Sequence, residues 1–588
     1  MRPLIRATYE TIFFASLAIA HGDDKSMDMD MATSVDMHAT TSASTPTVFV
    51  SQNAQTDGPT SYFSYGKHSS TILAHIALMT LGWCFVLPPV VLLSTARSRL
   101  AIPLQFLFLI FNALGLLFGI IYNNQTPDLY ENNAHHKIGW IVTWVICTQV
   151  TLALIFAYAG RGESKKSQSR SFDRATFLPV ATDEHEYPQP PGTLHENYWS
   201  RESSQGTEPS SSFRSCSSPS FESQAEYDGF EKPEELYPKP SGLSGWFYSS
   251  IVDRLPLKRM TGILSNRVLR IFSNVYTVID RIILPFGSVA IATGAVTYGG
   301  IFHGIEVFNG LAHFIKGGIF FWYGVITLGR FIGAWADLGW AWNKKPPARV
   351  VGWKVKVPSG EFVESFVIWL YGVTNVFLEH LAGRGKPWSA RDLQHVSISI
   401  MFFGGGLVGM LFESRRLRDA VNNTLRRLSP YESDNEDWQP PKSQGVPLNP
   451  MPALIILLLG MIMGSHHQDS MTSTMVHKQW GNMFVGFAIA RGTTYVLLFL
   501  CPPTSYLPAR PPTEIVAAFC LMSGGLIFML SARDVIEAME FYELDAMFTF
   551  TVGMGLTAFI MSLEVVNIAI KAWAVERERA QDQRLSSR

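Results

Sequence analysis

Eleven apolar runs, most of them near the roughly 20 residues that a helix needs to cross the hydrocarbon core of a bilayer, leave this chain few folds to choose from. They span Thr71–Ser94, Pro103–Tyr122, Ile138–Tyr158, Ile282–Ile301, Leu311–Trp335, Glu361–Leu381, Leu393–Phe412, Pro450–Gly464, Gly481–Cys501, Pro512–Ser531 and Phe548–Trp573. In hydrocarbon every backbone N–H and C=O must find its partner inside the protein, so runs of this length predict α-helices. The expected fold class is therefore all-α, a polytopic membrane helix bundle of about 11 transmembrane helices in a 3 + 8 arrangement. Composition agrees: of 588 residues, 47% are hydrophobic and 16% charged. A formal net charge of -1 argues against nucleic acid as a partner, and the lipid bilayer is the partner expected.

The polar stretches set the boundaries. Residues 1–20 read as a signal peptide, with Arg2 and Arg6 as the basic start, Thr11 to Ala20 as the apolar core and Ala18-Ile19-Ala20 as a small-x-small cleavage site. Residues 21–70 are expected to be a disordered lumenal or extracellular tail. Within that tail Met27, Met29, Met31 and Met37 alternate with Asp28, Asp30 and Asp36 between His21 and His38, a pattern that fits either a low-complexity linker or weak capture of cuprous ion. A three-helix membrane block follows at 71–159 and a disordered, Ser/Pro-rich cytosolic linker at 160–266, whose protein partners the sequence does not name. An eight-helix membrane domain occupies 267–574, and 575–588 form a cytosolic tail. Cys84, Cys147 and Cys520 lie within apolar runs, Cys501 at an edge and Cys216 in the linker, so no disulfide framework is expected.

Basic residues in short loops set the orientation. With the N-terminal tail outside, the inner loops hold Arg97 and Arg99, then Arg161, Lys165 and Lys166, then Lys344, Lys345 and Arg349, then Arg415, Arg416 and Arg418, and finally Arg577 and Arg579. The loop with Arg384, Lys386 and Arg391 runs against the trend. The expected location is a membrane of the secretory pathway, plasma membrane or endomembrane, with the N-terminus lumenal or extracellular and the C-terminus cytosolic.

Under that topology the histidines fall on one face. His75, His135, His136, His303, His313, His380, His395, His466, His467 and His477 all land at outer helix ends. The segment Met463 to Met483 is the densest patch, with three of these imidazoles and four methionines. A plain interface preference would populate both leaflets, so a shared ligand is the expectation: a transition metal on His303, His313, His380, His395, His467 and His477 in a single shell. Glu306 and Glu379 would complete a zinc site or orient its imidazoles, whereas Met471, Met475 and Met483 would favour copper. His135 with Gly139, His313 with Gly317 and His477 with Gly481 repeat a spacing of four, which either clears room for a flat group or serves helix packing. Arg491, deep in its apolar run, must face a partner, either a polar group of a neighbouring helix or an anionic ligand such as a haem propionate.

The first block, with His75-Ile-Ala-Leu-Met79, Gly82-Trp83, Pro88, Ala96-Arg97, His135-His136-Lys137-Ile138-Gly139 and Gln149, resembles the ascorbate-reducible transmembrane cytochrome b family. The resemblance implies haem b, with His75 and either His135 or His136 as axial ligands. The helix at Pro103–Tyr122 has no histidine, so ligands for that family's second haem on the opposite face are missing. The whole arrangement, with the long hydrophobic half containing MGSHHQDSMTSTMVHKQWGNM, is similar to the fungal Ytp-like family of multi-pass membrane proteins, which implies a fungal integral membrane protein and no settled activity. Two functional classes besides redox or metal handling remain open. One is a transporter or channel lined by Arg491, Lys316 and Asn375; the other is a structural or trafficking protein acting through its linker. Whether the chain is an enzyme is not readable from these residues.

Overall fold

The computed structural model describes residues 61–163, 266–304, 306–382, 390–426, 441–465, 468 and 470–586, and all regular structure among them is helical. The principal helices are α1 (Ser69–Thr95), α2 (Ala101–Gln125), α3 (Ala134–Glu163), α4 (Asn266–Gly299), α5 (Glu306–Ile332), α6 (Gly360–Ala382) and α7 (Ala390–Glu413). They continue with α8 (Arg415–Arg426), α9 (Met451–Ser465), α10 (Met471–Leu500), α11 (Thr513–Leu530), α12 (Arg533–Phe541) and α13 (Ala546–Ser586). Among the described residues nine helices are long and apolar enough to cross a membrane. The apolar runs at Glu361–Leu381 and Pro450–Gly464 are helical too, but α6 opens with Glu361 and Glu364, and α9 has only 15 residues. The signal segment 1–20, most of the 21–70 tail and nearly all of the 160–266 linker lie outside the described residues.

Proline explains the shape of α1. Pro88 and Pro89 have no N–H to return to the preceding turn, and the helix answers with one wide turn over Leu81–Val86, where the Leu87 N–H reaches Gly82 O. That turn delivers Trp83 into the first block, where its Nε1 donates to Asn112 Oδ1 on α2 at 3.1 Å. Trp83, Phe108, Val142 and Ile146 form this core with Ile279, Ile283 and Ala290 of α4, so α4 packs with the first three helices. A polar knot fastens it: Asp280 on α4 accepts from Ser94 Oγ at 2.7 Å and from Gln149 Nε2, and Tyr276 lies 2.7 Å from Ser94 Oγ.

The second half is held by close backbone approaches. A lipid tail is as apolar as a leucine, so membrane helices associate through fit and not through release from water. At Gly525 on α11 a Cβ would lie 2.5 Å from Phe321 N and 2.6 Å from Gly317 O on α5. At Gly481 on α10 it would lie 2.6 Å from Gly460 O on α9, and at Gly372 on α6 it would lie 2.2 Å from Phe403 N on α7. Around these seams Trp480, Phe484, Phe487, Leu521 and Ile527 are fully buried.

Overpacking a seam of this kind costs about 1–3 kcal/mol. Gly525→Ala is therefore expected to lower the melting temperature of the detergent-solubilised protein. Gly555→Ala on α13, where nothing lies within 4 Å, should not lower it. Equal melting temperatures for the two variants would show that the α5–α11 seam is looser than drawn.

Candidate functional site

Two polar centres interrupt the apolar bundle. The first lies at the end where α1, α3, α5 and α10 begin. His75 of α1 and His135 of α3 stand edge to face, ring centroids 6.2 Å apart and planes at 81°. His313 of α5 and His477 of α10 repeat the arrangement at 6.5 Å and 88°.

In both pairs each Nδ1 meets a backbone carbonyl: His75 with Gly115 O at 2.7 Å, His135 with Ala290 O at 3.1 Å, His313 with Asn309 O at 2.9 Å and His477 with Ser473 O at 2.8 Å. A carbonyl only accepts, so Nδ1 carries the proton and, in the neutral ring, Nε2 is left with its lone pair. Glycines make room for two of the rings, since a Cβ at Gly119 would stand 2.8 Å from His75 Nδ1 and one at Gly294 3.0 Å from His135 Cε1. Aromatic rings wall the second pair: Phe528 lies 5.7 Å from His313, Trp480 lies 5.8 Å from His477, and Trp480 and Phe528 stack at 4.3 Å.

The described histidines of this end do not share one shell. Four of them form two separate pairs, and among the described residues no group of three or more His, Cys, Asp or Glu side chains could hold a metal ion. Pairing follows from the anchors, because each ring is pinned to a carbonyl of its own or an adjacent helix and cannot swing to a common centre. His136 is exposed, its backbone N–H taken by Asn133 Oδ1, so His135 is the ring that faces His75. His303 stacks on Tyr130 at 4.2 Å, and Glu306 Oε1 lies 4.0 Å from Arg533 Nη1 of α12. The side chains of Glu379, His380 and His395, and the whole of His466 and His467, fall outside the described residues. The recurrent glycines divide: Gly317 and Gly481 meet helix backbones, which is packing, while Gly139 has nothing within 4 Å.

The second centre sits at the other end of the same helices. Along α5, Arg330 is 17 residues beyond His313, and along α10, Arg491 is 14 beyond His477, separations of about 25 and 21 Å at the α-helical rise. Arg330 donates from Nη2 to Glu361 Oε1 and from Nη1 to Glu364 Oε1, each at 2.6 Å, and from Nε to Trp340 O at 2.7 Å. Arg491 lies 3.3 Å from Glu364 Oε2 and 2.9 Å from Glu514 Oε1, with Tyr323 Oη also at 3.3 Å. The signs alternate along a ladder, Glu361, Arg330, Glu364, Arg491, Glu514, that ties α5, α6, α10 and α11 together. The indole of Trp342, from the α5–α6 connection, lies against both guanidinium groups at 4.3 and 4.9 Å. The five ladder side chains are 0 to 10% exposed.

Of these groups sequence reasoning singled out only Arg491, and its partner is the neighbouring helices' carboxylates. Glu361, Glu364, Arg330 and Glu514 sit within a turn or two of segment ends and read there as ordinary boundary charges. The signal that could have found them was the spacing of three between Glu361 and Glu364, which puts both on one face of α6. Of the other polar residues noted in the spans, Asn375 donates to Ser399 Oγ, and Lys316 lies 6.0 Å from the Tyr371 ring.

Removing one partner of a buried ion pair strands the other, at a cost of about 3–5 kcal/mol. Arg491→Ala is expected to abolish recovery of monodisperse protein, and Arg491→Ala combined with Glu514→Ala to restore part of it, as read by size-exclusion chromatography. No rescue in the double variant would show that the two residues act independently.

Comparison with known proteins agrees with this division. Residues 286–572 match the family described as protein YTP1-like, C-terminal, and residues 56–159 match a domain of unknown function, DUF2427. An uncharacterised membrane protein of Schizosaccharomyces pombe is 32% identical over 529 residues, covering 87% of this chain and 96% of that protein. An uncharacterised membrane protein of Saccharomyces cerevisiae is 40% identical over 287 residues, 47% of this chain and 44% of that one, and Protein YTP1 of the same yeast is 28% identical over 171 residues, 29% and 30% of the two chains. No solved structure matches. With a multi-pass helical architecture and a fungal relative aligned over nearly its whole length, the chain belongs to the Ytp1-like family of fungal membrane proteins.

Proposed function

We propose that this is a redox or metal-handling membrane protein in which the pairs His75 with His135 and His313 with His477 each bind one metal centre. The candidates are haem b, which the two imidazoles of a pair would hold, or a copper or zinc ion. The observation that carries the reading is the matched geometry of the two pairs. Metal–nitrogen bonds of about 2.0–2.1 Å and imidazole radii of about 1.1 Å set an upper limit of about 6.4 Å on the centroid separation of two rings that hold one ion, falling to about 5 Å at a tetrahedral angle. The pairs stand at 6.2 and 6.5 Å. Nδ1–H held by a carbonyl is the outer-shell bond that fixes a ligating histidine with Nε2 toward the metal.

For the first pair the cytochrome b resemblance points the same way, with His75 and His135 at the matching positions. A bound haem would supply one-electron chemistry, and His75 and His135 would hold it. The chain's own part is to orient the rings through Gly115 O and Ala290 O, to clear space for them at Gly119 and Gly294, and to keep water away with the Trp480–Phe528 stack at the second pair. Met471 and Met475, 73% and 54% exposed, are not buried with either pair.

Absorbance and elemental content of the intact protein, purified in mild detergent, test this reading. The expected result is a Soret band, or stoichiometric copper or zinc, at up to two centres per chain. His75→Ala and His135→Ala should each remove the same centre, and His313→Ala and His477→Ala the other, every variant keeping the remaining one. Protein that is folded yet has no Soret band and no stoichiometric iron, copper or zinc would sink the proposal.

A further inference from the structure

The ladder at the end opposite the imidazoles does not balance. It has three carboxylates, Glu361, Glu364 and Glu514, against two guanidinium groups, Arg330 and Arg491, and all five side chains are at least nine-tenths buried. Glu364 sits between the two arginines and is matched on both sides. The surplus falls on the terminal carboxylates, and there hydrogen bonds run out: Glu361 Oε2 has no hydrogen-bond partner, nor has either oxygen of Glu514, whose contact with Arg491 Nε is an ion pair without an aligned N–H. Beside them two buried donors are idle as well, Trp342 Nε1 and Tyr495 Oη, their rings 6.1 Å apart and the indole pressed on both guanidinium groups.

Neighbouring elements do not offset the surplus. Tyr323 of α5 and Tyr495 of α10 are neutral, and Glu564 of α13, close to α5 at Gly329, adds negative charge if anything. Glu413 of α7 is held by Ser359 Oγ at 2.9 Å and faces Arg418 of α8 as well as Glu361. An unmatched carboxylate in so dry a place is costly, and a bound proton is the smallest ligand that removes the cost.

We infer that the Glu361–Arg330–Glu364–Arg491–Glu514 ladder is a proton-binding site that carries one exchangeable proton on a terminal carboxyl, Glu361 or Glu514. Loading forms one O–H bond at a carboxylate oxygen with a proton taken from water, and unloading returns it; no electrons move. This assignment goes beyond the metal centres and does not depend on them.

Full-length protein with Glu361→Gln, Glu514→Gln and both together is the test, because glutamine has the shape and charge of the protonated acid. Either single variant should melt within error of the wild type at neutral pH, since each leaves two charges of each sign. The double variant, with one carboxylate facing two arginines, should melt well below either. Infrared spectra in H2O and D2O add a readout that folding alone does not move: a deuterium-sensitive carboxylic acid band present in the wild type and lost in both single variants. Two singles each destabilised as much as the double, an acid band retained in either single, or a melting temperature that rises with sodium or potassium in place of an acid band would each overturn the proton assignment.

Discussion

Two arginines and three glutamates in the dry interior of a helix bundle are the constraint to which the second half of this protein answers. A charge within the membrane-spanning part of a bundle is expensive, and the expense falls only when every charge has an opposite neighbour at hydrogen-bonding distance. Here each arginine touches two carboxylates, and no two helices suffice: α5 and α10 bring the guanidinium groups, α6 and α11 the carboxylates. The seams seen elsewhere follow from this requirement. Helices must approach to backbone contact for such short side-chain reaches to close, and Gly317, Gly324 and Gly525 line the α5–α11 contact.

The α5–α6 connection is shaped by the same demand. Trp342 has a φ of 56°, an arrangement that costs a non-glycine residue free energy, and it is kept there by Asn343, whose Nδ2 donates to Ala336 O, Lys344 O and Tyr506 O. The return is an indole face between two cations, in surroundings where such contacts are worth about 2 kcal/mol when desolvated. At the other end the organising bonds are weaker and local. Each imidazole there is oriented by one carbonyl, on its own helix at His313 and His477 and on an adjacent helix at His75 and His135. The histidine centres thus depend on α1–α4 and α5–α11 being assembled, whereas the ladder is part of what assembles the second half.

Periodicity and length carried the helical architecture, because an apolar run of membrane length has one solution. Each apolar run named from the sequence is a helix, with ends displaced by several residues: α10 begins at Met471 and not near Gly481, so His477 and Trp480 lie inside it. That shift matters, since it turns a supposed polar loop into a helical face packed on α5. The position of His75, His135, His313 and His477 near the starts of their helices was also legible, because each stands at the start of an apolar run. Their division into pairs was not. Which rings meet depends on which helices are neighbours, and nothing in Met463 to Met483 reveals that His477 faces His313 across a gap of more than 160 residues. Glu514 was hidden for a related reason, as a lone acid near a helix start ordinarily means an interfacial cap.

The distance between the two centres decides how they can speak to each other. At about 21 Å and an effective dielectric constant of about 20, a unit change of charge at the imidazole end alters the energy of a proton on the ladder by about 0.8 kcal/mol, a factor of about four in affinity. Screening by lipid headgroups and counter-ions reduces that further. A field acting through a rigid bundle is therefore too weak to link the ends tightly. A mechanical route is stronger, because α5 and α10 each carry one residue of the imidazole pair and one arginine of the ladder. A shift of either helix along its axis changes the 6.5 Å ring separation and the 2.6 to 3.3 Å ion-pair distances together. Any coupling between the centres must then appear as a displacement of α5 against α10, and the glycine seams of α5 with α11 and of α9 with α10 are the surfaces on which it would slide.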